Sequence, residues 1–200
     1  MLQPMSKTKV FNHLMVDIET MGTSSDAIIL SIAAVPFDLA TGEFKTFFWK
    51  NISLESNEVA NRSIDASTLR FWFNQSKKAQ IGLFDGEPLC KVLRDFQNFI
   101  KNNTLETYMQ TGNNLQIWSN GISFDICILK HAFNQIGGGE LCHYSLERDV
   151  RTLVSLNPSI KDNTRFEGTK HNPLHDCLHQ IKYCSETFKS LAVQYSVTKV

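Results

Sequence analysis

Three separated segments carry carboxylates whose types and spacing suggest shared chemistry: Asp17 and Glu19 in MVDIET, Asp125 in SNGISFD, and Asp176 in HNPLHDC, which also holds His171. The first pair follows the apolar run LMV, which predicts a strand, and side chains two apart on a strand share a face. Asp17 and Glu19 then point the same way. Two anions side by side at a strand end are costly unless a cation compensates them, and hard divalent ions prefer carboxylate oxygen. Four carboxylates from three elements can hold two such ions, which neutralise a phosphodiester, lower the pKa of an attacking water and stabilise the departing oxygen. His171, five residues before Asp176, is placed to take that water's proton, since an imidazole titrates near neutral pH.

The elements that must position these residues can be read in order. FNHLMVDIE and AIILSIAAVPFD predict strands, and a Thr41-Gly42 turn leads to a third, EFKTFFWKNI, so the chain opens as an antiparallel meander. Asp65 is a plausible N-cap for a helix over ASTLRFWFNQSKK, and AQIGLFDGE connects it to a second helix, PLCKVLRDFQNFIKN, with Pro88 in its first turn. LQIWS predicts a buried strand, and SFDICILKHAFNQI a helix ended by Gly137, Gly138 and Gly139. HYSLERDVRTLVSLN fits a further strand and helix. A polar loop, NPSIKDNTRFEGTK, precedes a last helix with an apolar stripe of Leu174, Leu178, Ile181, Cys184 and Phe188. A meander followed by strand-helix alternation implies an α/β fold: a mixed central sheet of five to six strands with flanking helices, the acidic pair on its central strand.

In this order, D-x-E, N-G-x-x-F-D and H-x-x-x-x-D resemble the three exonuclease motifs of the DEDDh, or DnaQ-like, superfamily, over residues 17 to 176. The resemblance implies a ribonuclease H-like fold and metal-dependent removal of nucleoside 5′-monophosphates from a 3′ end, using two Mg2+ or Mn2+ ions. It implies that Asp17, Glu19 and Asp176 ligate one metal, with Asp17 also reaching a second, that Asp125 acts largely through a water on the metal, and that His171 is the general base. The histidine spacing is that of the DEDDh branch, whereas the sister branch places a tyrosine nearer the aspartate. Within the superfamily, VDIETMG, STLRFWFNQS and RDVRTL look most like the compact exonuclease A of T-even phages and its small bacterial relatives. Met21 departs from the proofreading pattern, in which threonine is common, but Met21 and Gly22 occupy the matching substrate position.

Other residues admit two readings. Phe71, Trp72 and Phe73 are successive on a helix and cannot all face one core; Trp72 is the candidate for stacking on a terminal base, with core packing as its alternative. Phe124 similarly either wedges near the site or packs. His171, His175 and His179 suggest zinc, but no third soft ligand has suitable spacing and Cys177 falls on the apolar stripe, so a surface or packing role is preferred for His175 and His179. Lys77, Lys78, Arg148, Arg151, Arg165 and Lys170 are either strand-guiding cations or solvated charges.

Composition sets the outer bounds. With 200 residues and 42% hydrophobic content the sequence fits one exonuclease domain over 11–195 behind a flexible start at 1–10. Twenty basic and twenty acidic residues cancel, which excludes the broad positive field of a high-affinity nonspecific nucleic-acid binder. The five cysteines lack a C-x-x-C pair and read as buried free thiols of a reducing compartment. MLQPMSKTKV has no apolar signal core and no run is long enough to span a membrane, so the expected location is the cytoplasm, that of the host if the protein is phage-encoded. The expected partner is single-stranded DNA or RNA with a free 3′ end. An oligoribonuclease-like RNase rather than a DNase, and a noncatalytic nucleic-acid-binding module on the same fold, are the alternatives.

Overall fold

Leu14, Val16 and Ile18 alternate with Met15 and Asp17 along the strand β1, His13–Thr20, and this alternation divides the protein into two layers. Leu14, Val16 and Ile18 enter one core with Val92, Phe96 and Phe133, while Met15 enters another with Phe37, Cys177 and Ile181. A strand apolar on both faces belongs inside a covered sheet. This computed structural model describes residues 11–80 and 85–197. The expected flexible start and residues 81–84 of the expected connector lie outside the described residues.

β2 (Ile29–Phe37) pairs antiparallel with β1, setting Asp17 opposite Ala33 and Glu19 opposite Ser31, and β3 (Phe48–Asn51) pairs antiparallel with β2. On the other side of β1, β4 (Gln116–Ser119) runs parallel to it, and β5 (Glu147–Asp149) runs parallel to β4. The order β3-β2-β1-β4-β5 makes five strands and puts β1 at the centre, as expected.

One face of the sheet is covered by α4 (Leu89–Thr111) and α5 (Asp125–Gln135), whose apolar stripes form the larger core. The other is covered by α6 (Val150–Val154) and α8 (Pro173–Val197), which lies across β1 and β2. Asp17 and Glu19 share the parity of Met15, so they project toward α8. Among the described residues no helix is long and apolar enough to cross a membrane.

Several sequence expectations need correction. The third strand is shorter than EFKTFFWKNI: the ladder stops at the Phe48 and Ala34 pair, and two residues further along β2 stands Pro36, which has no N–H to donate. The aromatic helix ends at Phe73 as α2 (Ala66–Phe73), and a separate turn, α3 (Lys77–Gln80), starts under Ser76, whose Oγ accepts from Ala79 N–H at 3.2 Å. The short helix α7 (Pro158–Asn163) stands where a polar loop was expected, and α1 (Leu54–Val59) occupies the stretch between the third strand and Asp65 for which the sequence suggested no element. Cys177 and Cys184 are buried thiols, but Cys90 and Cys127 are exposed.

Candidate active site

The carboxylates assemble where β1 leaves the core. Asp176 stands in the first turn of α8, and its ligand oxygen lies with those of Asp17 and Glu19 in a cluster within 4.8 Å of one another. Backbone N–H groups of His171 and Asn172 hydrogen-bond to the Asp176 carboxyl, as suits an anion at a helix start. Its Oδ2 is nevertheless buried without a partner among the described residues. Asp125 opens α5, 3% exposed, and its Oδ1 accepts the N–H of Ile18 at 3.3 Å, which ties the helix to the strand between Asp17 and Glu19. Asp125 lies outside the three-residue cluster, but its charge acts on both Asp17 and Glu19.

Burial and mutual repulsion set the protonation of this group. Asp17 is held well above the usual carboxylate range, first by burial and then by the charges of Asp125, Glu19 and Asp176. Glu19 is raised likewise, by burial and then by Asp176 and Asp125. Burial pushes Asp125 up to about 7 against the hydrogen bond from Ile18, and pushes Asp176 up to about 6. An all-oxygen donor set, clustered negative charge and an orphaned buried carboxylate oxygen fit a hard divalent cation.

Beside the cluster opens a cavity of about 350 Å³, lined by Glu19, Gly22, Phe71, Trp72, Phe124 and His171 among others. His171 is one of two non-glycine residues described with positive φ, at 62°. Its imidazole meets the rings of Phe71 and Trp72 edge-on, at centroid distances of 4.9 and 6.2 Å. Burial, with help from the charge of Lys170, holds the imidazole below its ordinary value of 6.5.

The aromatic run is divided by its helix. Trp72 takes the core alternative: it is 3% exposed, packs with Met21, Ile28 and Leu30, and donates its indole N–H to Thr20 O at 2.8 Å. Phe73 is 76% exposed, and Phe71, at 39%, has the freer ring at the cavity. Met21 is buried, with its backbone N–H donating to Ile28 O. A Cβ on Gly22 would come within 3.1 Å of the Ala27 Cβ and 3.2 Å of Asp65 Oδ2. Asp65 occupies the N-cap position of α2, yet its Oδ2 accepts from Thr23 N–H at 2.7 Å and so holds the loop after β1.

Of the surface and packing alternatives for His175 and His179, the contacts favour packing. His175 Nδ1 accepts from Thr169 N–H at 3.0 Å, and the His179 ring lies between Phe166 and Tyr183. Of the cations, Arg151 lies over Gly121 and acts on Asp125, whereas Arg148 donates to Ser145 O and Glu147 O. The sequence reading missed Gln180, whose Nε2 donates to Asp17 Oδ1 at 2.7 Å. Its spacing of four from Asp176 on a helix is a signal that the two share a face.

A mixed five-stranded sheet flanked by helices on both faces defines the class of fold, which is ribonuclease H-like. The nuclease domain of 3′hExo, a DEDDh family member bound to rAMP, superposes with a TM-score of 0.63 at 10% identity, covering 92% of this chain and 95% of that one. E. coli exonuclease I in complex with a dA16 oligonucleotide gives 0.61 at 14% identity, covering 93% of this chain and 43% of that one. The sequence is 24% identical over 196 residues to an exodeoxyribonuclease of Enterobacteria phage T4, with 83% of this chain and 84% of that protein covered. Residues 12–188 match the model of the Rv2179c-like 3′-5′ exoribonuclease domain, and the chain belongs to that family. It is a 3′-5′ exonuclease.

Proposed function

We propose that the protein removes nucleoside 5′-monophosphates one at a time from the 3′ end of single-stranded nucleic acid or short oligonucleotides. Asp17, Glu19, Asp125 and Asp176 would hold two Mg2+ or Mn2+ ions. The observation that carries the proposal is the convergence of the Asp17, Glu19 and Asp176 oxygens beside a cavity walled by His171. When bound, the ions would neutralise the scissile phosphodiester and lower the pKa of the attacking water.

The remaining work falls to the protein's own side chains. His171, neutral at physiological pH because its pKa is lowered, accepts the proton of the attacking water as general base. Phe71 and Phe124 offer ring surface to the terminal base, a contact worth ~1 to 3 kcal/mol per stacked base. In this reading Trp72 and Gly22 shape the cavity wall, and Met21 supports it by packing with Trp72. Asp125 fixes the end of β1 through Ile18 and adds charge to the metal site.

The intact acidic cluster argues against a noncatalytic binding module. RNA is favoured by the family's description and DNA by the phage relative, so both sugars fall within the proposed range. Five free cysteines fit a reducing compartment such as the cytoplasm, that of the host for a phage-encoded protein. Matched DNA and RNA strands labelled at the 5′ end, digested with Mn2+, test substrate and direction together. Ladders that shorten from the 3′ side support the proposal, and rapid cutting of a closed circular single strand contradicts it.

A further inference from the structure

Gln180 reaches the central strand from α8, donating Nε2 to Asp17 Oδ1 at 2.7 Å while only 4% exposed. The other end of the same amide, Oε1, is buried with no hydrogen-bond partner among the described residues. An apolar side chain of similar length would fill this space without leaving a carbonyl oxygen unsatisfied, so packing alone does not account for a glutamine. The bond that Gln180 does make goes to the carboxylate on which Asp125, Glu19 and Asp176 all act.

The helix adds a second relationship. Gln180 follows Asp176 by four residues on α8, so both side chains leave one helix face a turn apart. α8 thereby supplies one carboxylate of the cluster and a hydrogen bond to another. A carboxylate on a strand turns freely about its last torsion unless something fixes its plane, since such terminal torsions are broad. One amide bond to Oδ1 fixes that plane and leaves the other lone pairs of Asp17 available.

We infer that Gln180 is a positioning residue for the exonuclease, holding the Asp17 carboxylate in the orientation that receives a divalent cation. The inference rests on the metal reading proposed above. Partners that orient ligands from outside the coordination shell typically change metal affinity or activity by about 10 to 100-fold when removed.

The test uses the full chain with Gln180→Met, which keeps length and removes the donor, and Gln180→Leu as a second apolar replacement. Mn2+ binding to metal-free protein is measured by calorimetry, turnover is measured on a 3′-labelled oligonucleotide, and cooperative unfolding is checked in chelator. The expected result is a folded variant that binds Mn2+ about 10 to 100-fold more weakly, with kcat restored by excess Mn2+ and the oligonucleotide KM unchanged. Recovery by Mn2+ is a response that simple loss of packing would not give. A folded variant with wild-type Mn2+ affinity and kcat overturns the inference and leaves the metal reading intact. Wild-type protein that binds no Mn2+ overturns both.

Discussion

The ring of Phe71 meets the imidazole of His171 edge-on, with centroids 4.9 Å apart and planes at 87°. One aromatic thus borders the proposed general base, while its neighbour Trp72 belongs to the core. The two should fail differently. Trp72→Ala is expected to lower unfolding stability by about 3 to 5 kcal/mol, the usual cost of emptying a buried aromatic site. Phe71→Ala is expected to keep stability within about 1 kcal/mol while raising the oligonucleotide KM, because a stacking surface worth ~1 to 3 kcal/mol is lost. Thermal melts and steady-state kinetics on both variants check this.

Removal of the proposed base separates the two histidines of the third motif. His171→Ala should lower kcat by ~10² to 10⁴ at saturating metal, the range expected for a lost general base. His175 is engaged by Thr169 N–H, so His175→Ala should act mainly on stability. Loss of turnover in His175→Ala with normal turnover in His171→Ala would reverse the assignment.

The pH dependence has a definite sign. A base with its pKa below 6.5 gains its accepting form as pH rises, so kcat should climb on the acid side and level off by about pH 7.5. Metal binding should strengthen over a higher range, because Asp176 near 6 and Asp125 near 7 must lose protons to serve as ligands. Raised carboxyl pKa values stabilise the metal-free fold at low pH, and that contribution disappears as pH rises through those values. Mn2+ should therefore raise Tm more at pH 8 than at pH 5. An equal Tm shift at both would contradict the coupling.

Away from the site, Trp118 donates its indole N–H to His13 Nδ1 at 2.9 Å. Indole nitrogen only donates, so His13 must be neutral with Nδ1 unprotonated. Burial lowers His13 to about 4 from 6.5. A depressed pKa gives stability that is complete above 6.5 and lost as pH falls toward 4. Relative to His13→Phe, wild type should lose up to roughly 3 kcal/mol over that interval. Denaturant titrations at three pH values measure it.

How much of this was legible in the sequence depended on range. Strand alternation placed Asp17 and Glu19 on one face, and the order of motifs found Asp125, His171 and Asp176, because each signal lies within a few residues. The bond from Gln180 to Asp17 spans 163 residues and has no local signature beyond the spacing to Asp176. Trp72 remained open for the same reason: the acceptor of its N–H, Thr20 O, lies on another element. α1 and α7, at six residues each, are too short for helical periodicity to separate them from loops. Pro36 was visible, yet its effect on the third strand depended on a pairing register that only the folded sheet defines.

The most direct measurement of the central claim is single-turnover digestion of a 3′-labelled single strand by wild type and by Asp17→Asn, with Mn2+ and with excess chelator. Asparagine keeps the size of Asp17 but removes the charge on which the proposed metal site depends. Wild type with Mn2+ should release the label as a mononucleotide in the first turnover. Chelator or Asp17→Asn should abolish that release while the variant still unfolds cooperatively. Release at the wild-type rate in excess chelator, or by Asp17→Asn, would contradict the account.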